Sequence, residues 1–128
     1  QISSLIIAKD LMKYGSFKTK TWRIPHQVMN SNDIEIISNF LIGLYDSDGS
    51  VSGYAISLTS SSQKGLIDTL NILHKLGIKG KVRSDRQYFT ITITSRPNII
   101  QFRNIIGFTI QRKMKRFESM YKLKRNAI

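Results

Sequence analysis

The chain contains no cysteine, which excludes disulfides and thiolate-based zinc sites. It has two histidines, His26 and His74, too few and too isolated for a His-rich metal centre. Proline is limited to Pro25 and Pro97. No run of 18 apolar residues and no signal-peptide pattern occurs, so the expectation is a soluble intracellular protein, in the cytoplasm or an organelle matrix, with no membrane partner. There is no Walker loop, no Gly-rich dinucleotide fingerprint, no Ser-His-Asp set, no internal repeat and no low-complexity segment. The first residue is Gln, from which we expect a chain cut from something longer.

Acidic residues are also scarce: eight Asp and Glu against twenty Lys and Arg, for a net charge of +12. The imbalance is local. Residues 1–62 carry five basic and five acidic side chains, and residues 63–128 carry fifteen and three, so the whole excess lies in the second half. A polyanion is the natural partner of such a half, and nucleic acid is the commonest polyanion. At 128 residues with 41% hydrophobic residues, the chain suffices for one domain with a real core.

What is present is organised around residues 40–49, Phe-Leu-Ile-Gly-Leu-Tyr-Asp-Ser-Asp-Gly. A helix leads into it. Asn32 is placed to be its N-cap with Glu35 three residues on, and Asp33 and Glu35 suit the positive end of the helix dipole. Ile34, Ile37, Phe40, Leu41 and Leu44 recur every three or four residues and share a face. Gly43 costs about 1 kcal/mol inside a helix, and close approach of another helix would account for it. Asp46 and Asp48 then fall at the C-terminal end, where a carboxylate is disfavoured unless exposed or met by a cation. Asp46-Ser47-Asp48-Gly49 is also the composition of an ordinary turn. An EF-hand is disfavoured, because Gly49 is fourth from Asp46 instead of sixth and the twelfth position is Ser57.

The remaining elements follow from pattern. Residues 3–14 read as a helix stopped by Gly15, then a basic linker through Trp22-Arg23-Ile24, with Pro25 opening a short turn to Met29. Trp22 reads as a buried anchor in preference to a base-stacking platform. A hairpin is expected from strands 50–52 and 54–59 with Gly53 at the turn. A helix at 63–76 should bury Leu66, Ile67, Leu70, Leu73 and Leu76 and stop at Gly77. The clearest period-two pattern sets Ile78, Gly80 and Val82 against Lys79, Lys81 and Arg83, and Phe89, Ile91 and Ile93 against Tyr88, Thr90, Thr92 and Thr94, with residues 84–87 as the turn. Its apolar face should lie under helices. A helix beginning near Pro97 and ending at Gly107, then a basic helix at 112–124 with Met114, Phe117 and Tyr121 as its apolar stripe, complete the chain.

Residues 41–49, Leu-Ile-Gly-Leu-Tyr-Asp-Ser-Asp-Gly, resemble the LAGLIDADG motif of homing endonucleases, departing at Ile42, Tyr45 and Ser47. The α-β-β-α-β-β-α order from residue 33 is that of one repeat of this family, and Asn104-Ile105-Ile106-Gly107-Phe108 with the lysines after it resembles the family's Ile-Gly-Phe segment. The segment from Arg23 to Met29 resembles the linker before the second motif of two-repeat members.

The resemblance implies an α+β fold: one LAGLIDADG repeat with a four-stranded antiparallel saddle-shaped sheet at residues 32–128. Residues 1–31 would be an extra N-terminal helix and linker, the end of a preceding repeat. It implies a magnesium-dependent nuclease, a hydrolase cutting both strands of a long double-stranded DNA site. Asp48 would be the catalytic metal ligand, with Gly49 offering a carbonyl, and Lys113 and Ser60 would assist. Asp46, near the helix end, would be structural. The DNA-binding face would carry Lys79, Lys81, Arg83, Tyr88, Thr90 and Thr92, with Ser57 and Thr59 of the first hairpin. Leu41, Ile42, Gly43 and Tyr45 would meet a second motif helix, in a homodimer or from a missing first repeat of an intron- or intein-encoded enzyme. The alternative on this scaffold is a regulator or intron maturase that binds nucleic acid without cutting. The basic row at 79–83 also fits a merely solvated face.

Overall fold

The computed structural model describes residues 21–126. The helix expected at residues 3–14 and most of the linker lie outside the described residues. The elements in chain order are α1 (His26–Met29), α2 (Ile34–Asp48), β1 (Gly49–Val51), β2 (Ile56–Ser60), α3 (Gln63–Lys75), β3 (Lys81–Asp85), β4 (Tyr88–Ile93), α4 (Arg96–Ile105) and α5 (Gln111–Asn126). The four strands form one antiparallel sheet in the order β1-β2-β4-β3. After the short α1, the elements from α2 to α4 have the expected α-β-β-α-β-β-α order, the expected basic helix α5 follows, and the fold is α+β.

The core is the inner face of the sheet packed against the helices. Ile56, Leu58, Ile91 and Ile93 point inward from β2 and β4 and meet Leu41, Leu44, Leu66, Leu73, Ile99 and Phe102. A second knot is aromatic. Tyr45 packs edge-on to Phe102 with ring centroids 4.9 Å apart, and Phe108 and Phe117 close around them. Each such pair adds about 0.5–1.5 kcal/mol beyond its buried area. This knot ties the end of α2 to α4 and α5.

Trp22 is buried at 3% exposure and anchors the incoming linker. Its Nε1 donates to Ser60 Oγ at 2.8 Å, and Ser62 Oγ donates to the Trp22 carbonyl at 2.7 Å. Ser62 also caps α3, accepting from Gly65 N. A Cβ on Gly65 would lie 2.6 Å from three atoms of the Trp22 ring, so only glycine lets the indole lie on this turn. Beside it, Arg23 Nε and Nη2 reach the buried Asp68 carboxylate at 3.1 and 2.9 Å, and Ile24 N donates to the same group.

Several local expectations are corrected. Asp33 caps α2, accepting from Glu35 N at 2.9 Å, and Asn32 does not. Ile34, in the first turn of α2, is 61% exposed. On α3, Ile67 is exposed, and Ile72 with the hydroxyl and carboxylate of Thr69 and Asp68 takes the buried positions. On α5, Met120 is buried and Met114 is exposed. The first hairpin turns over residues 52–55, where Ser52 N donates to the Ala55 carbonyl, so Tyr54 stands in the turn and not in a strand. The second turns over Arg86 and Gln87 alone, with Arg86 at φ 56°. Every residue of β3 is exposed, Val82 included: alternation assigns its face, but this edge strand extends past the helix layer.

Candidate metal and nucleic-acid site

The site begins where α2 stops. Asp48 is its last residue, and Gly49 is the C-cap, donating its backbone N–H to the Tyr45 carbonyl. A Cβ on Gly49 would lie 2.7 Å from both Tyr45 Cδ1 and the Tyr45 carbonyl oxygen, so the chain turns from helix into β1 only with glycine there.

Asp46 does not point at the same place as a free acid. Its Oδ1 accepts from Thr109 N at 2.9 Å, and its Oδ2 accepts from Thr109 Oγ1. These donors precede the first turn of α5, so a carboxylate at the unfavourable end of α2 is placed at the favourable end of α5. Lys113 answers from α5. Its Nζ donates to the Asp46 carbonyl at 2.6 Å, and at 3.2 Å to the Tyr45 carbonyl that already accepts from Gly49 N, so it serves the C-terminal carbonyls of α2. Burial holds the Lys113 ammonium below the usual lysine range. The Asp46 carboxylate opposes that shift, Arg112 adds to it and Asp48 opposes it. Lys113 is therefore within electrostatic reach of Asp48.

Beside this corner lies a groove lined by Gly49, Ser50, Val51, Arg112, Lys113 and Arg116. Among the described residues no group of three or more His, Cys, Asp and Glu side chains gathers. The donors at the end of α2 are one carboxylate and backbone carbonyls. That set fits Mg²⁺, which keeps water and phosphate oxygens as ligands, and does not fit a closed zinc cage.

The outer face of the sheet is a lattice of hydroxyls and cations. Ser57 stands opposite Thr92, and Thr92 opposite Lys81; Thr59 stands opposite Thr90, and Thr90 opposite Arg83. Thr59 Oγ1 and Thr90 Oγ1 are 2.9 Å apart. Tyr88 pairs with Asp85 at the far end and is 48% exposed. These side chains are brought onto one face. Lys79 is not in the strand; it precedes β3, its backbone N–H held by Asn98 Oδ1 at 2.8 Å.

Three placements differ from expectation. Ser60 faces inward with Ile56 and Leu58, and its hydroxyl serves Trp22 and the Ser62 N–H, so it is a structural group of the linker seat. Leu41 and Tyr45 are fully buried within this one chain and present no surface to another helix. The surface that α2 does offer contains Asn39, Ile42 and Gly43, each half-buried. The Asp46–Thr109 pairing is outside what the sequence foretells. Its only sequence signal is a Thr just before a basic helix, a common N-terminal residue that does not name its partner.

A family model for the LAGLIDADG-like domain matches residues 35–107. A probable translation initiation factor IF-2 of Thermococcus kodakarensis is 36% identical over 113 residues, which is 86% of this chain and 10% of that protein. A replication factor C small subunit of Methanocaldococcus jannaschii is 29% identical over 106 residues, 78% of this chain and 6% of that protein. The chain thus spans about a tenth or less of the curated relatives it matches. Among solved structures, a variant of I-DmoI bound to its target DNA in the presence of magnesium superposes with a TM-score of 0.54 at 18% identity, covering 62% of this chain and 46% of that one. The N-terminal LAGLIDADG domain of DUF199/WhiA gives 0.54 at 26% identity, covering 66% of this chain and 47% of that one. With the family model covering more than half its length, the chain belongs to the LAGLIDADG-like domain family.

Proposed function

We propose that this chain is the cutting module of a magnesium-dependent, site-specific double-strand DNA endonuclease, a homing endonuclease. The observation that carries this reading is the corner where α2 ends. Asp48 is presented beside Lys113 at the margin of a sheet face made of hydroxyls and cations. A divalent ion held by Asp48, with the Gly49 carbonyl nearby, would supply Lewis-acid stabilisation of the charge that develops on a scissile phosphate. The chain's own residues do the rest. Asp46 and Lys113 lock the end of α2 so that Asp48 is fixed before DNA arrives, and the sheet face engages phosphates and base edges.

One motif supplies one carboxylate of this kind, and a double-strand cut needs two. The second comes from another copy across the Ile42–Gly43 surface of α2, or from another repeat of a longer protein. The host relation supports an inserted element. The same domain recurs as a small part of an initiation factor and of a replication-factor subunit, two proteins with unrelated tasks, as an intein would. The likeness to the WhiA domain, designated by its LAGLIDADG architecture and not as a nuclease, supports the rival reading of a DNA-binding module that does not cut.

The test is cleavage of a randomised plasmid library with Mg²⁺, against an EDTA control and an Asp48→Asn variant. Specific double-strand cuts lost in both controls, with DNA binding kept by Asp48→Asn, are expected. Salt-sensitive binding without cuts, even after a second repeat is supplied, would favour the rival.

A further inference from the structure

The polar face of the sheet does not stop at its edge. One cross-strand row runs Lys81, Thr92, Ser57, Ser50 from β3 to β1. Ser50, on the edge strand, lines the same groove as Arg112 and Arg116 of α5. So the row continues past the last strand onto a helix. A second groove shares Val51 and Arg116 with the first and carries the surface along α5 past Lys115 and Ser119 to the turn at Ser52 and Gly53. Beside the apolar Val51, Met120 and Leu123, the two grooves present four cations and three serines, and no carboxylate. The helix phase explains this. Phe117 and Met120 pin α5 to the core, which turns residues 112, 116, 119 and 123 toward β1. Arg103 and Glu118 pair at 3.0 Å on the opposite flank and leave the β1 side of α5 without a carboxylate.

We propose that the β1-facing flank of α5 is a phosphate track: it grips the sugar–phosphate backbone of the duplex that the sheet face reads. The proposal rests on the DNA reading above and adds to it a separate surface with a separate task. Flexible cations and hydroxyls with no carboxylate among them suit positioning contacts to phosphate. The track begins at Lys113, beside Asp48, and runs away from it, so it would hold a strand adjoining the scissile phosphate. Lys113 is occupied by the α2 carbonyls and contributes charge; Arg112, Lys115 and Arg116 grip the phosphates.

The experiment is the salt dependence of binding to random-sequence duplex DNA, in the Asp48→Asn background. Replacing Arg112, Lys115 and Arg116 together with Gln should make the slope of log K against log salt shallower by about 3, since each phosphate no longer neutralised removes about 0.9. An unchanged slope overturns the track, whereas Lys81→Ala with Arg83→Ala should still lower it and so keep the DNA reading. Because the chain has no cysteine, Ser119→Cys offers a single attachment point for an iron–EDTA group. Strand scission from that position supports the track. No scission from Ser119→Cys alongside scission from Thr59→Cys overturns it, and no scission from either, with no salt-sensitive binding, overturns the DNA reading as well.

Discussion

Asp46 and Lys113 cap each other's helices. The Asp46 carboxylate takes the Thr109 N–H and hydroxyl before α5, and Lys113 Nζ takes the Asp46 carbonyl at the end of α2. Each group sits where its charge is favoured by the partner helix. Asp46→Ala should cost about 1–2 kcal/mol, as for other N-caps removed. Lys113→Met, which keeps the stem, should cost about 1 kcal/mol. Urea unfolding of the two single variants and the double variant measures both; strict additivity would show that the two caps act independently.

Tyr45 carries a buried hydroxyl without a hydrogen-bond partner among the described residues. Tyr45→Phe removes that polar burden and should leave the domain at least as stable at neutral pH, by up to about 1 kcal/mol. Burial also pushes the Tyr45 phenol up from its ordinary value of 10. Above that pH the unfolded chain loses a proton that the folded chain keeps, so this group's contribution is full below pH 10 and is lost as pH rises beyond it. Unfolding midpoints across alkaline pH should fall more steeply for the parent than for Tyr45→Phe.

Gly65→Ala drives a methyl into the Trp22 ring. Overpacking of this kind costs about 1–3 kcal/mol. Trp22 is the chain's one tryptophan, so its emission reports its own seat. A red shift together with a lower urea midpoint is expected. An unshifted spectrum would mean that the indole had found another bed.

Ile42→Glu places a charge on the part of α2 left open beside Gly43. If that surface pairs two copies, sedimentation should show a dimer in the parent and a monomer in the variant. A dimer in both would locate the interface elsewhere. Leu41→Glu is not a substitute test, because Leu41 is in the core and the change would unfold the chain.

Much of the architecture is legible in pattern. The alternation in β2 and β4 gives the sheet its two faces, and the spacing of Ile37, Phe40, Leu41 and Leu44 gives α2 its buried side. Two of the departures, Tyr45 and Val82, have one physical source. A periodic pattern states that residues share a face, but not how wide the covered arc is or where the covering layer ends. So pattern leaves Tyr45 free for a surface although Phe102 and Phe108 enclose it, and sends Val82 to a buried layer that stops short of β3. Ser60 escapes for a different reason: its partner, Trp22, lies 38 residues away, and no local signal couples the two. The structural character of Asp46 is legible from its place at a helix end, but its partner, 63 residues on, is not.

That last separation has a consequence for the order in which the protein comes into being. The motif is finished early in synthesis, yet the groups that hold its end in place, Thr109 and Lys113, emerge more than sixty residues later. Until they do, the Asp46 carboxylate and the Asp46 carbonyl at the end of α2 lack the donors that meet them in the folded domain. A ribosome still translating the second hairpin therefore carries a chain whose motif is made but whose acidic corner is unassembled. For a nuclease of the proposed kind, such a delay keeps the nascent chain harmless until its final helix closes on the motif.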